Sequence, residues 1–168
     1  MQKPMTVEVQ NSGSTLNLKI VGSISEISKF PEINLLNISD IALDFGDINY
    51  INSAGVRLWI KWMWQFEKEN SKMSFSIRRC PSRIARQIRA VSSFVPKTTI
   101  IKSFLVPYEC DSCSNTLEKL FNIEPGLRTS LQNLTKALNE NVICPKCNSK
   151  MELDAMPEDF FTLIQVRA

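Results

Sequence analysis

Four cysteines in two closely spaced pairs constrain this chain more than any other feature of its sequence. Cys110 and Cys113 form one Cys-x-x-Cys pair, and Cys144 and Cys147 form the other. Two such pairs supply four thiolates, which is the number that a tetrahedral structural zinc ion takes. We therefore expect a Zn2+ ion bound by all four cysteines. Four thiolates leave no coordination position open, so the predicted site is structural and not catalytic.

The long separation of the two pairs predicts an insertion between them. The 30 residues between Cys113 and Cys144 exceed the roughly 15–20 residues of a compact zinc ribbon. Two redox-active pairs, or disulfides, are the alternative interpretation. The N-terminus has no basic region followed by an apolar run, so we expect no signal peptide, a cytoplasmic location and reduced thiols. No apolar run approaches the roughly 18–20 residues of a membrane-spanning helix, and we expect no membrane association.

The chain of 168 residues contains no histidine. This excludes Ser–His and Cys–His nucleophile pairs and every histidine metal site. The sequence also has no glycine-rich phosphate loop and no convincing pair of carboxylates for acid–base chemistry. We therefore expect a protein without enzymatic activity. Cys80 stands apart from the paired cysteines and is expected to be a buried small residue, with a reactive thiol as the weaker alternative.

Charge is distributed unevenly along the chain, although the net charge is only +3. Residues 1–69 carry 6 basic and 8 acidic side chains, and residues 109–168 carry 6 and 9. Residues 70–108 between them carry 8 basic side chains and no acidic one. Such asymmetry is informative about binding partners and not about the fold.

The periodicity of apolar residues predicts alternating strands and helices, and therefore an α/β fold. Predicted strands are Thr6–Gln10, Thr15–Gly22, Asp40–Phe45, Lys72–Arg79 and Thr98–Val106. Predicted helices are Ile24–Leu36 with a break at Pro31, a helix from Asn52 or Ser53 to about Glu69, a helix that begins at Pro81, and Pro125–Asn139. We expect a mixed sheet covered by helices in residues 1–106 and a zinc-ribbon-like module in residues 107–168.

The segment Ile41–Gly55, IALDFGDINYINSAG, resembles the core signature of the STAS family, the domain of anti-sigma factor antagonists. Members have an apolar strand and then an Asp-Ser-(Ser/Ala)-Gly turn that opens a helix. Leu16–Gly22 looks like the family's second strand, and Phe75–Pro81 with the helix after it is similar to its fourth strand and third helix. The resemblance covers residues of about 5–106 and implies the STAS fold.

The turn that opens the helix reads Asn52-Ser53-Ala54-Gly55 in this chain. In the antagonists the serine at the position of Ser53 is phosphorylated by a partner kinase. The resemblance therefore implies a signalling partner, such as a kinase or an anti-sigma-like protein, that docks at this turn and the following helix. The family has Asp where this chain has Asn52, which removes a charge that helps to present the serine. A helix N-cap is the alternative role for Ser53, and Asn52 could serve equally.

Two further groups of residues are candidates for a binding surface. Arg83, Arg86 and Arg89 recur every three residues, so they share one face of the second predicted helix. This face either attracts an anionic partner or is neutralised by the acidic C-terminal module. A nucleic-acid-associated protein that uses the basic segment Arg78–Lys102 is the alternative function. The tryptophans of the preceding helix are either core residues or part of a partner surface: Trp59, Trp62 and Trp64.

Overall fold

A computed structural model describes residues 3–69, 72–124, 127 and 129–167. Its strands are β1 (Thr6–Ser12), β2 (Thr15–Ile24), β3 (Asp40–Ile51), β4 (Ser74–Arg78), β5 (Cys80–Pro81), β6 (Ile100–Ile101), β7 (Ser103–Glu109), β8 (Thr116–Asn122) and β9 (Glu152–Leu153). Its helices are α1 (Ser53–Glu69), α2 (Ser82–Ala90), α3 (Leu131–Leu138) and α4 (Pro157–Arg167). The expected mixed α/β architecture is confirmed.

The larger sheet has the strand order β1-β2-β3-β4-β6. The first pair is an antiparallel hairpin that turns at Gly13, whose φ is +66°, and the other neighbours are parallel. Leu16, Leu18 and Ile20 alternate with polar residues along β2 and are buried. Because strand side chains alternate between faces, this pattern gives the sheet one apolar face and one polar face. Helix α1 covers the apolar face.

A second sheet begins directly after β4 and includes strands from the C-terminal part of the chain. Its order is β5-β7-β8, and β9 pairs with the other end of β7. Arg79 separates β4 from β5 and adopts a left-handed conformation, with φ 47°. Its N–H donates to the Ser103 hydroxyl at 2.9 Å, which joins the turn to the start of β7.

The expected boundary between residues 106 and 107 falls inside β7. Phe104 precedes this position, yet its ring packs against Phe160 of α4, with ring centroids 5.0 Å apart. Both rings are fully buried and belong to one continuous core. The division into units 1–106 and 107–168 stays a prediction, but the two parts share a strand and a core.

The helix expected at Ile24–Leu36 is wrong. This segment is the end of β2 followed by turns and irregular chain. Pro31 lacks the N–H that a helix interior requires, and its carbonyl instead accepts a hydrogen bond of 2.9 Å from Trp62 Nε1. The neighbouring Phe30 ring stacks on Trp62, with centroids 4.9 Å apart. The segment therefore packs against α1 as irregular chain without helical structure.

Other predicted elements differ at their ends. The predicted strand at Thr98–Val106 is divided into β6 and β7, and the helix predicted for Pro125–Asn139 begins only at Leu131. Ser130 caps this helix by accepting a hydrogen bond from the Asn133 N–H. Three residues of the predicted range lie outside the described residues: Pro125, Gly126 and Arg128.

Candidate functional site

The four paired cysteines converge on one point. Their Sγ atoms all lie within 4.8 Å of one another. Cys110 Sγ is 3.4 Å from Cys147 Sγ, and Cys113 Sγ is 3.7 Å from Cys144 Sγ. A tetrahedron of thiolates at the usual zinc–sulfur distance has edges of about 3.8 Å. All four thiols are free of disulfides. The donor set therefore fits a metal ion, as the sequence predicts.

The two cysteine turns have the same backbone geometry. The N–H of Cys110 donates to the carbonyl of Asn115 at 2.9 Å, and that of Ser114 donates to the carbonyl of Cys110 at 2.7 Å. In the second turn the equivalent distances are 2.8 Å, from Cys144 to Ser149, and 3.0 Å, from Asn148 to Cys144. Each turn also has a left-handed residue, Ser114 at φ 52° and Asn148 at φ 60°.

Hydrogen bonds to sulfur lower the pKa of two of the four thiols, whereas burial and the neighbouring cysteines raise the pKa of Cys113 to about 12. The Ser149 side chain and backbone N–H donate to Cys147 and lower the pKa of its thiol to about 6. Buried Cys144 also has a lowered pKa, because N–H groups of Cys147 and Lys146 outweigh the opposing effect of burial. A metal ion binds the deprotonated thiol, so these donors favour metal binding.

The four-cysteine cluster is attached directly to the second sheet. Cys110 follows β7 immediately, and Cys144 lies next to a β-bridge between Ile143 and Lys150. Cys110 and Cys144 are fully buried, Cys113 is half-buried and Cys147 is exposed. Two ligands therefore reach into the protein core, whereas the outer two lie at the surface.

At the start of α1, Asn52 and not Ser53 is the N-cap. Asn52 Oδ1 accepts a hydrogen bond of 2.8 Å from the Gly55 N–H, and its carbonyl accepts the Val56 N–H at 2.9 Å. Its side-chain amide donates to Glu26 at 2.7 Å, and this hydrogen bond lowers the Glu26 pKa. The hydroxyl of Ser53 is exposed and has no hydrogen-bond partner among the described residues. Sequence reasoning left the cap open between these two residues.

Gly55 is required by the packing of α1 on β2. A Cβ atom at this position would overlap the carbonyl of Ile24 and the backbone nitrogen of Ser25. Ala54 beside it is half-buried. The close approach fixes the first turn of the helix against the end of β2, and Ser53 lies on its solvent side.

Two of the three tryptophans of α1 are core residues. Trp59 is fully buried and donates from Nε1 to the Phe94 carbonyl at 2.7 Å, and Trp62 is held by Phe30 and Pro31. Trp64 is different, because 53% of its surface is exposed. Core packing therefore accounts for Trp59 and Trp62 and leaves Trp64 available for a partner.

The arginines of α2 have acidic partners from the C-terminal part of the chain. Arg83 donates to the Ile48 carbonyl and lies 3.8 Å from Glu118 of β8. Arg89 Nη1 lies 2.9 Å from Asp159 Oδ1, and Arg86 Nε lies 3.9 Å from Asp159 Oδ2. These ion pairs agree with the interpretation that this face is neutralised by the C-terminal part. Sequence reasoning did not identify the two carboxylates.

A further ion cluster lies on the polar face of the sheet. Arg79 donates to Asp44 at 2.9 Å and contacts Asp47 at 3.4 Å, and Lys19 pairs with Asp47 at 2.9 Å. The hydrogen bond from Lys19 and the Arg79 charge hold the Asp47 pKa below its ordinary value. Sequence analysis missed this cluster. The polar residues that alternate with apolar ones along β2 and β3 were the available signal.

Cys80 is fully buried, and burial raises the pKa of its thiol. A thiol in this state is a poor nucleophile, so its surroundings favour the expected role as a small core residue.

No protein-family model, curated protein or solved structure matches this chain. Among the described residues, none of the helices is both long enough and apolar enough to cross a membrane.

Proposed function

We propose that this chain is a STAS-like protein-interaction module without enzymatic activity, stabilised by a structural zinc ion. A signalling partner, such as a kinase or an anti-sigma-like protein, docks at the turn Asn52–Gly55 and along α1. Phosphorylation of Ser53 regulates this docking. The module acts in a reducing compartment, the cytoplasm, where its thiols stay free for metal.

The order of the elements supports the STAS resemblance. An antiparallel hairpin leads into parallel strands, and α1 begins where the long strand β3 ends. The turn at this point carries the residues that resemble the family signature. Its glycine packs against β2 and its serine faces solvent.

One observation carries the regulatory part of the proposal. Asn52 caps α1, so the Ser53 hydroxyl has no structural role and is accessible. A phosphate at this first helical residue would meet the positive end of the helix dipole without disturbing the cap. The departure of Asn52 from the family's Asp is compatible with the cap, because both residues accept the same hydrogen bond.

The geometry of the four sulfurs supports zinc as the metal. Thiolate sets of this shape select zinc or iron, and a closed four-cysteine site is typical of structural zinc. The metal would join β7, which enters the first cysteine turn, to the chain that leads into β9. Its contribution is to folding, since such a site does not exist in the unfolded chain.

Photo-crosslinking from the docking turn tests this function. A benzophenone amino acid at Ala54, introduced in the native cell, should capture a specific protein that mass spectrometry identifies. The same group at Lys136, which is exposed on α3, is the matched control. Phosphosite mapping of the same material should find Ser53 modified in a fraction of the chains.

The captured partner then allows a direct affinity comparison. Ser53→Asp should weaken its binding because a charge is buried at the interface, whereas Ser53→Ala should bind as the wild type does. Asn52→Asp should improve modification by the kinase. Equal affinity of the wild type and Ser53→Asp would contradict the proposed regulation.

A further inference from the structure

We propose that the solvent-facing side of α1 binds an acidic segment of a protein partner with an apolar residue at its centre. We call this surface the basic stripe and define it as Arg57, Lys61, Trp64 and Lys68. The inference rests on the proposed function, because it specifies the chemistry of the partner that docks on α1.

The spacing of the basic stripe places its members on one side of the helix. They follow one another at intervals of three or four residues, and residues so spaced are neighbours on a helix surface. The opposite side is buried against the sheet and includes Trp59, Met63 and Phe66. The stripe therefore lies at the middle of the exposed surface of α1.

The cations of the basic stripe have no ion-pair partner in the part of the chain that the structure describes. Among the described residues, no carboxylate forms an ion pair with Arg57, Lys61 or Lys68, in contrast to the arginines of α2. The acidic residues of α1, Glu67 and Glu69, lie in its last turns on either side of the stripe. The stripe thus presents three positive charges that no acid within the described chain neutralises.

Trp64 supplies an apolar anchor between these charges. More than half of its surface is exposed, whereas Trp59 and Trp62 on the same helix are buried. Tryptophan is enriched among the residues that dominate binding energy at protein interfaces. A large exposed ring with cations one turn away on each side is complementary to an apolar side chain flanked by carboxylates.

Other polyanions match this surface less well. A membrane-surface helix inserts a continuous apolar face between lipids, but the apolar face of α1 is buried in the core and only Trp64 extends outward. Single-stranded nucleic acid stacks on successive aromatic side chains, and the stripe has one. An acidic protein segment needs one anchor and several charges, which the stripe provides.

Ser53 precedes the basic stripe by one helical turn. It lies four residues before Arg57, the spacing at which opposite charges on a helix surface pair. A phosphate on Ser53 would therefore pair with Arg57 and compete with a carboxylate of the partner. Phosphorylation would weaken docking from within α1.

A defined peptide tests the chemistry of this surface. The probe is a fluorescein-labelled amphipathic peptide in which glutamates flank a central leucine pair, and its binding to the full chain is followed by fluorescence anisotropy. Lys61→Glu and Trp64→Ala should each weaken binding about tenfold. Lys136→Glu, which reverses an exposed helical charge outside α1, should change it less than about twofold. A peptide with lysine in place of glutamate should not bind.

Three results would overturn the inference. The first is that the glutamate peptide does not bind the wild type, and the second is that Lys61→Glu and Lys136→Glu weaken its binding equally. The third is that substitutions in the basic stripe weaken the binding of phosphatidylserine vesicles or of an oligonucleotide but not that of the peptide. If crosslinking from Ala54 still identifies a protein partner, the proposed function stands while this inference fails. If the peptide binds as expected but crosslinking captures nothing, the basic stripe stands and the docking turn fails.

Discussion

The Asp159 carboxylate, in the first turn of α4, lies between the guanidinium groups of Arg86 and Arg89 on α2. The carboxylate is almost fully buried, whereas both arginines reach solvent. A buried charge is tolerated only when it is paired. This contact therefore holds the C-terminal helix against α2. It also neutralises Arg86 and Arg89, which would otherwise present an unpaired basic face.

Replacing Asp159 by Asn should loosen α4. The change keeps the shape of the side chain but removes the charge that the two arginines face, and we expect a loss of about 1–3 kcal/mol in the free energy of unfolding. Glu158→Gln, on the exposed side of the same turn, is the control and should cost less than about 0.5 kcal/mol. Limited proteolysis should show earlier cleavage in residues 154–167 for Asp159→Asn alone. Equal protection of the two variants would contradict the role of this contact.

Replacing Cys144 by Ser should abolish metal binding. One of four thiolates is lost from a closed site, and elemental analysis should find zinc near one equivalent in the wild type and a small fraction of this in the variant. Hydrogen exchange should rise first around the two cysteine turns and then in β7. Cys80→Ala, at a buried cysteine outside the cluster, should keep its metal. A wild-type protein purified without chelator that contains no zinc would refute the site as proposed.

The cap of α1 can be tested by two neighbouring substitutions. Asn52→Ala removes the acceptor of the Gly55 N–H and should lower the free energy of unfolding by about 1 kcal/mol. Ser53→Ala removes only an exposed hydroxyl and should stay within about 0.5 kcal/mol of the wild type. Denaturant titrations of the two variants measure both values. A larger loss in the free energy of unfolding for Ser53→Ala than for Asn52→Ala would instead identify Ser53 as the cap.

Replacing Gly55 by Ala should disturb the start of α1. The added methyl would overlap the backbone of Ile24, and overpacking of this kind costs about 1–3 kcal/mol. Gly13→Ala is the comparison, since that position has open space but a left-handed φ of +66°. Gly13→Ala should cost about 1 kcal/mol from backbone strain alone. Only Gly55→Ala should raise hydrogen exchange in the first turns of α1, and unchanged exchange there would argue against the packing.

The ion cluster on the polar face of the sheet should contribute to stability in an acid-sensitive way. The Asp47 pKa is lower in the folded chain than the ordinary value of 3.8, so Asp47 stabilises the fold above that pH and loses this effect as the pH falls through the folded value. Asp47→Asn should therefore reduce the loss of stability that occurs as the pH falls from about 5 to below 3.8. Glu32→Gln is the control, at an exposed carboxylate without an ion pair among the described residues, and it should leave the acid-induced loss of stability as it is in the wild type.

Local sequence patterns predicted the elements that local interactions determine. The hairpin, β3 and α1 have clear periodicity, and the spacing of the two cysteine pairs predicts the four-cysteine cluster. Pro31 should have excluded the helix at Ile24–Leu36. Phe30 of that segment packs on Trp59 and Trp62 of α1, and apolar periodicity does not distinguish such an irregular segment from the buried face of a helix.

Contacts between distant segments were beyond the reach of sequence reasoning. Nothing in the order of residues indicates that Asp159 faces Arg89, or that Asp44 and Asp47 hold Arg79. The sequence left open whether the face of Arg83, Arg86 and Arg89 is free or neutralised by the acidic C-terminal part, and folding brings carboxylates to all three. It did not show which carboxylates these are, because Glu118 and Asp159 are distant from α2 in sequence.

Since β7 enters the four-cysteine cluster while Phe104 on the same strand contacts Phe160, binding of the proposed metal would also stabilise the contact between these rings. A cell short of metal would release the cysteine turns, open the contact between these rings and present fresh apolar surface to its quality-control proteases. If the metal binds as proposed, the abundance of the protein would then follow the metal supply of the cell.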